Sequence, residues 1–261
     1  MNEAFVKTEI SNNIGYITFY HPQSNSLPGS VLKELATHIE NAGNHPDIKV
    51  IVLKSIGEKA FCAGASFDEL LNIAETATTN TDEARKKGKT FFSGFALVIN
   101  AIRKAPKFVI GRVHAKAVGG GVGIAASVDY CFATKDASVK LSELAVGIGP
   151  FVVGPAVQRK IGLSAFSQMS INATEWFSAQ WAKEKGLFCD VFDNIEQMDT
   201  AIEKLTSQLI KSNPDAMTQL KKIFWEGTEH WDTLLTERAG ISGELVLSEY
   251  TRNFILSFKK K

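Results

Sequence analysis

The densest chemistry in this sequence belongs to its backbone. Val118-Gly119-Gly120-Gly121-Val122-Gly123-Ile124-Ala125-Ala126 follows a strand-like run at Phe108 to Val113. Glycine at that density lets a main chain approach a ligand closely, and at a helix start it presents amide NH groups where the dipole favours negative charge. A second glycine turn, Phe61-Cys62-Ala63-Gly64-Ala65, follows the apolar run Val50 to Ser55 and opens a helical stretch near Ser66. Two such turns can offer two NH donors to one oxygen, which makes an oxyanion hole. The competing reading is dinucleotide binding, because Gly121, Gly123 and Ala126 fit GxGxxA with Glu143 about twenty residues later. That fingerprint should open the first βα unit of its domain. Here His114 to Val118 separate strand from glycines, mid-chain, and the oxyanion reading is the stronger.

Four segments taken in order resemble the enoyl-CoA hydratase/isomerase (crotonase) superfamily, over nearly the whole chain. Ser24-Asn25-Ser26-Leu27 is similar to the family's N-A-L turn, and Lys59-Ala60-Phe61-Cys62-Ala63-Gly64-Ala65 to its KAFCAGAD motif. His114 to Thr134 is similar to G-x-A-x-G-G-G-x-E-x-A-x-x-C-D, and Leu141 to Gly162 to the segment that carries a catalytic Glu. The resemblance implies an α/β spiral of stacked ββα units over residues 1–195 and a helical region over 196–261 that builds trimers or hexamers. It further implies a coenzyme A thioester as substrate, with no separate cofactor, and an enolate oxygen held by the backbone NH groups of Ala65 and Gly120. Asn25, Leu27, Lys59, Ala60, Phe61 and Ala63 then fall where relatives bind substrate and coenzyme A. Phe254, Phe258 and Lys259 of the terminal helix join them at the nucleotide.

Hydratases of the family flank the substrate with two carboxylates, and only one survives here. Position 123 is glycine, while Ser142-Glu143-Leu144 retains the other. Adding water needs a group to orient and deprotonate it while a proton reaches C2, work that paired carboxylates share. A single carboxylate can still carry a proton between C2 and C4. Enoyl-CoA double-bond isomerisation with Glu143 as the shuttle therefore ranks first. Hydration of a 2-enoyl-CoA ranks second, with Asp68 or Glu69 as substitute carboxylates, and a non-catalytic coenzyme A-binding or assembly subunit third. Gly123→Glu is expected to restore the second carboxylate if the backbone there accepts a side chain. Phe151 and Val153 stand where relatives often have glycine, so they are expected to narrow the acyl tunnel.

The elements that must position these residues are readable from periodicity. Strand-like runs lie at Phe5 to Ile10, Ile14 to Tyr20, Val50 to Ser55, Phe108 to Val113, Tyr130 to Thr134 and Asp190 to Phe192. Gly29 to Asn44 and Thr81 to Lys104 carry helical stripes, the second with Phe91, Phe95, Val98 and Ile102 as core. Thr76 to Asp82 reads as a mobile loop, and from about Gln197 the pattern is helical, with Asn213-Pro214 as a start signal. The tail residues Phe254, Ile255 and Phe258 must bury against the body or a second subunit.

Composition excludes other classes. Twenty-nine Lys and Arg against 28 Asp and Glu leave a net charge of +1, without the positive field that nucleic acid requires. A hydrophobic content of 44% and a charged content of 22% are those of a globular chain, and no apolar stretch approaches the ~20 residues that span a bilayer. No secretory signal opens the sequence, so the expected compartment is the cytoplasm. Cys62, Cys131 and Cys189 make neither a disulfide framework nor a metal knuckle, and the five histidines lack HExxH spacing, so no metal is expected.

Overall fold

A computed structural model describes residues 3–257. The chain opens with the hairpin β1 (Phe5–Ser11) and β2 (Ile14–Tyr20), then the short β3 (Ser26–Leu27) and α1 (Gly29–Asn44). Strands β4 (Val50–Ser55), β5 (Ala60–Cys62) and β6 (Gly64–Ala65) lead into α2 (Phe67–Thr76) and α3 (Thr81–Lys104). The same turn recurs as β7 (Val109–Val113), β8 (Lys116–Val118) and α4 (Gly120–Ser127), and again as β9 (Tyr130–Thr134), β10 (Ser138–Lys140) and α5 (Gly154–Ile171), with a single 3-10 turn at Leu144–Val146. β11 (Phe177–Ser178), α6 (Ala179–Glu184) and β12 (Asp190–Phe192) close the body. Four helices follow: α7 (Ile195–Leu209), α8 (Pro214–Phe224), α9 (Trp231–Leu245) and α10 (Glu249–Ser257).

Each repeat places one strand in a large sheet, the next in a small one, and then a helix, which is the expected spiral. The large sheet runs β1-β2-β4-β7-β9-β12, parallel from β2 onward, and the small one β11-β10-β8-β5. Both faces of the large sheet are covered. On β4, Ile51 and Leu53 face the main core under α1, α3, α4 and α9, while Val50 and Val52 face a second cluster closed by Met198 and Ile202 of α7 and Met217 of α8. The tail is thus packed onto the body. Ile255 of α10 is buried in the main core of its own chain, and Thr251 Oγ1 donates to Gly147 O at 3.1 Å. Among the described residues no helix is long and apolar enough to cross a membrane.

Local chemistry sets the boundaries. Asn80 caps α3 by accepting from Glu83 N at 3.0 Å, and Asn213 caps α8 through Asp215 N at 2.9 Å. The start of α1 has no side-chain cap of its own; instead Glu69 Oε1, from α2, accepts from Gly29 N at 2.9 Å. The segment read as a mobile loop is shorter than expected. α2 ends at Thr76 and α3 begins at Thr81, and amides of Ala77, Thr78, Thr79 and Asn80 all bond back to the α2 end.

Candidate active site

The two glycine turns meet. Gly64 has φ +88, and a Cβ on it would lie 2.8 Å from Val118 O and 3.5 Å from Gly120 N, so only glycine lets the β6 turn press against the start of α4. Gly119, at φ +51, precedes α4, and Gly120 as its first residue has an amide that no carbonyl within the helix can satisfy. Ala65 and Gly120 both line a cavity of about 590 Å3, together with Ala63, Gly64, Val118 and Gly119. The first turn is held by Asn25. Its Oδ1 accepts from His21 N at 2.7 Å, and its Nδ2 donates to Ile56 O at 2.8 Å and Ala60 O at 2.9 Å.

Glu143 faces the same cavity. Its carboxyl lies over Gly119, where a Cβ would come within 2.9 Å of Oε1. The residue is half-buried through its main chain, but its Oε2 is shut from solvent and lacks a hydrogen-bond partner. No Lys, Arg or His lines the cavity among the described residues. Burial without a compensating cation pushes the carboxyl up to about 7. The backbone around it is firm: Glu143 O accepts from Val146 N and Ile148 N, and the left-handed Gly147 ends the turn beneath Thr251 of α10.

The remaining sequence-level candidates divide. Phe151 lines the cavity wall with Pro150, Val152 and Val153. Leu27 and Phe61 are core side chains, Phe61 edge-on to Phe19 at 5.4 Å, so any contact from them is through the backbone. Asn25 and Ala60 are buried in the turn's own hydrogen bonding, Lys59 is exposed outside the cavity lining, and Phe254 is half-buried on α10. Phe258 and Lys259 lie outside the described residues. Of the substitute carboxylates, Glu69 caps α1, while Asp68 stands at the cavity rim, accepting from Gln23 Nε2 at 2.7 Å.

Position 123 corrects the expectation for Gly123→Glu. A Cβ there would fall inside the Val153 side chain, 2.6 Å from its Cβ. The room for a second carboxylate is already filled by an isopropyl group. Among the wall residues that sequence reasoning missed are Phe92 and Phe95 of α3 and Ser242 of α9. The available signal for the last was the small-residue run Gly240-Ile241-Ser242-Gly243, which marks a close helix contact.

Comparison with known proteins bears on the family and the fold. The family model for enoyl-CoA hydratase/isomerase matches residues 9–250. The chain is 28% identical over 225 residues to the bacillaene synthase dehydratase PksH of Bacillus subtilis, covering 86% of this chain and 82% of that protein. It is 28% identical over 256 residues to the short-chain-enoyl-CoA hydratase of Clostridium acetobutylicum, covering 97% and 94%. With the peroxisomal Delta(3,5)-Delta(2,4)-dienoyl-CoA isomerase of Arabidopsis thaliana it shares 25% identity over 211 residues, 78% and 74% of the two chains. The fold matches the crystal structure of enoyl-CoA hydratase from Bacillus halodurans with a TM-score of 0.83 at 20% identity, over 97% of this chain and 99% of that one.

Proposed function

The chain belongs to the enoyl-CoA hydratase/isomerase family, and from that premise we propose that it moves a double bond in an enoyl-CoA thioester with Glu143 as its single proton shuttle. The observation that carries this reading is the pairing of a buried, partnerless carboxyl near pH 7 with a Val153 side chain at the place of any second one. In the ionised form Glu143 takes a proton from C2 of a 3-enoyl thioester. The electron pair moves onto the carbonyl oxygen, which the amides of Ala65 and Gly120 stabilise as a dienolate. The same carboxyl then returns the proton to C4, leaving the 2-enoyl product and an ionised Glu143. A carboxyl poised near the working pH suits both halves of that transfer.

Water addition needs a further group to hold the water, and the apolar wall of Val152, Val153 and Phe151 offers none. Asp68 at the rim is the remaining candidate for that role. A purely binding function would leave the burial of Glu143 without return, since a carboxyl raised to about 7 weakens the fold at neutral pH. On this reading coenzyme A runs along the turn Lys59 to Ala63. Exposed apolar side chains on α5, α8 and α9, among them Leu163, Ile171, Ile223 and Ile241, support the expected trimer or hexamer, which sedimentation would read directly.

The deciding experiment compares isomerisation of a 3-enoyl-CoA with hydration of a 2-enoyl-CoA by ultraviolet absorbance. Isomerisation in excess, abolished by Glu143→Gln, is the expected result. Hydration in excess that survives in Asp68→Asn would overturn both the ranking and the candidate second group.

A further inference from the structure

Proton transfer leaves the α9 side of the cavity without a role, and apart from Gln23, Ser24, Ser26, Asp68, Ser142 and Glu143 the lining carries one further polar side chain. Ser242, on α9, is 2% exposed and lines the cavity. Other buried hydroxyls return to the backbone: Ser127 Oγ donates to Gly123 O at 2.7 Å, Thr206 Oγ1 to Ile202 O at 2.9 Å and Thr134 Oγ1 to His114 O at 2.8 Å. A helical serine can do the same toward the carbonyl four residues earlier. Ser242 does not, and its side chain has no hydrogen bond among the described residues. Thr18 and Ser55 also lack partners, but neither lines a cavity. Unlike them, Ser242 lines space that a ligand would fill.

Its place along the cavity sets a length. Gly243 touches α3 at Gly88, where a Cβ would lie 3.1 Å from Gly243 Cα, while the Phe95 ring covers Gly120 at the oxyanion end. Gly88 and Phe95 are separated along α3 by about 10 Å at 1.5 Å per residue. A hydrocarbon chain spanning that distance would bury Ser242 unsatisfied, whereas an oxygen at its far end would pair with it. Charge limits the kind of oxygen. The cavity is lined by the carboxyls of Glu143 and Asp68 and, among the described residues, by no cation, so a terminal carboxylate is opposed.

We propose that the acyl group is short and carries a neutral oxygen function, a hydroxyl or carbonyl, at its far end, where Ser242 receives it. This rests on the acyl-thioester reading of the cavity and names its substrate class. The test is calorimetric titration of the full chain with unreactive saturated thioesters in isosteric pairs: 4-hydroxybutanoyl-CoA with pentanoyl-CoA, 5-hydroxypentanoyl-CoA with hexanoyl-CoA, and 6-hydroxyhexanoyl-CoA with heptanoyl-CoA. At one length the hydroxylated member binds about tenfold tighter, and Ser242→Ala reverses that preference. Equal or tighter binding of the methyl member at every length, or a preference that survives Ser242→Ala, overturns the proposal while leaving the acyl-CoA reading intact. Failure of every thioester to bind overturns both.

Discussion

Two of the places where this molecule buries a carboxyl treat it oppositely. On the outer side of the large sheet, Lys221 Nζ lies 2.8 Å from Asp129 Oδ2 and donates to Lys107 O at 2.8 Å. Asp129 also accepts from Val109 N at 2.7 Å and Trp225 Nε1 at 3.0 Å. Each charge there is paired and bonded, although burial still holds the Lys221 ammonium below its ordinary range. Glu143 also has its Oε2 shut from solvent, but with no cation lining its cavity and no hydrogen-bond partner for that oxygen among the described residues. Complete pairing marks a joint that ties α8 to the sheet. Incomplete pairing at Glu143 is what the proposed proton shuttle requires.

The largest test of that contrast is chemical. Glu143→Gln keeps size and hydrogen-bonding capacity and removes the base, so turnover of a 3-enoyl-CoA should fall by roughly 10² to 10⁴ while the dissociation constant of a saturated acyl-CoA stays within a few-fold. The matching change at the joint acts on stability alone. Lys221→Met strands the Asp129 carboxylate in the interior and should lower unfolding free energy by about 3–5 kcal/mol in urea melts, with turnover per folded molecule retained.

Glu143 should show the reverse sign in stability. Its carboxyl holds a proton up to about 7 when folded but only to 4.5 when unfolded. The folded state therefore binds the extra proton across that window, and stability falls as pH rises through it. Glu143→Gln should accordingly stabilise the protein at pH 8 by up to about 3 kcal/mol, a gain that shrinks toward zero near pH 4.5. If melts show no pH-dependent difference between the two proteins, Glu143 is not perturbed as described. In the same range kcat/KM for isomerisation should climb with pH through about 7, because the ionised carboxyl is the base.

The smallest effect probes the wall. Gly123→Glu alone should destabilise by about 1–3 kcal/mol, since the new side chain collides with Val153. Combined with Val153→Gly it should recover most of that loss and gain measurable hydration of a 2-enoyl-CoA. Equal stability of the single and double variants would show that the two side chains do not compete for one space.

Much of the scaffold could be read from residue order. Runs of β-branched and aromatic residues located β2, β4 and β9, which the sheet buries on both faces, and period-3.6 stripes located the two long helices α1 and α3, which bury one. Glycine density located the two turns that meet at the cavity, since a left-handed φ or a close backbone approach tolerates little else there. Asn25 shows where residue order fell short: a polar residue in a turn reads equally as a substrate contact or as a clamp on its own loop. Backbone partners at His21 in its own turn and at Ile56 and Ala60, 31 and 35 residues further along the chain, make it a clamp.

By itself the sequence determined an α/β body with a helical tail, the retained Glu143 and the glycine at position 123, for each of these is written in local residue types and their spacing, and through its motifs the family resemblance that implied the spiral of ββα turns. Tertiary structure alone decided that Val153 fills the space beside Gly123, that Glu69 is spent capping α1, that α10 folds back on its own chain and that Ser242 faces the cavity. All four depend on which side chains, far apart in the chain, come to share one volume, and packing rather than local propensity assigns that volume.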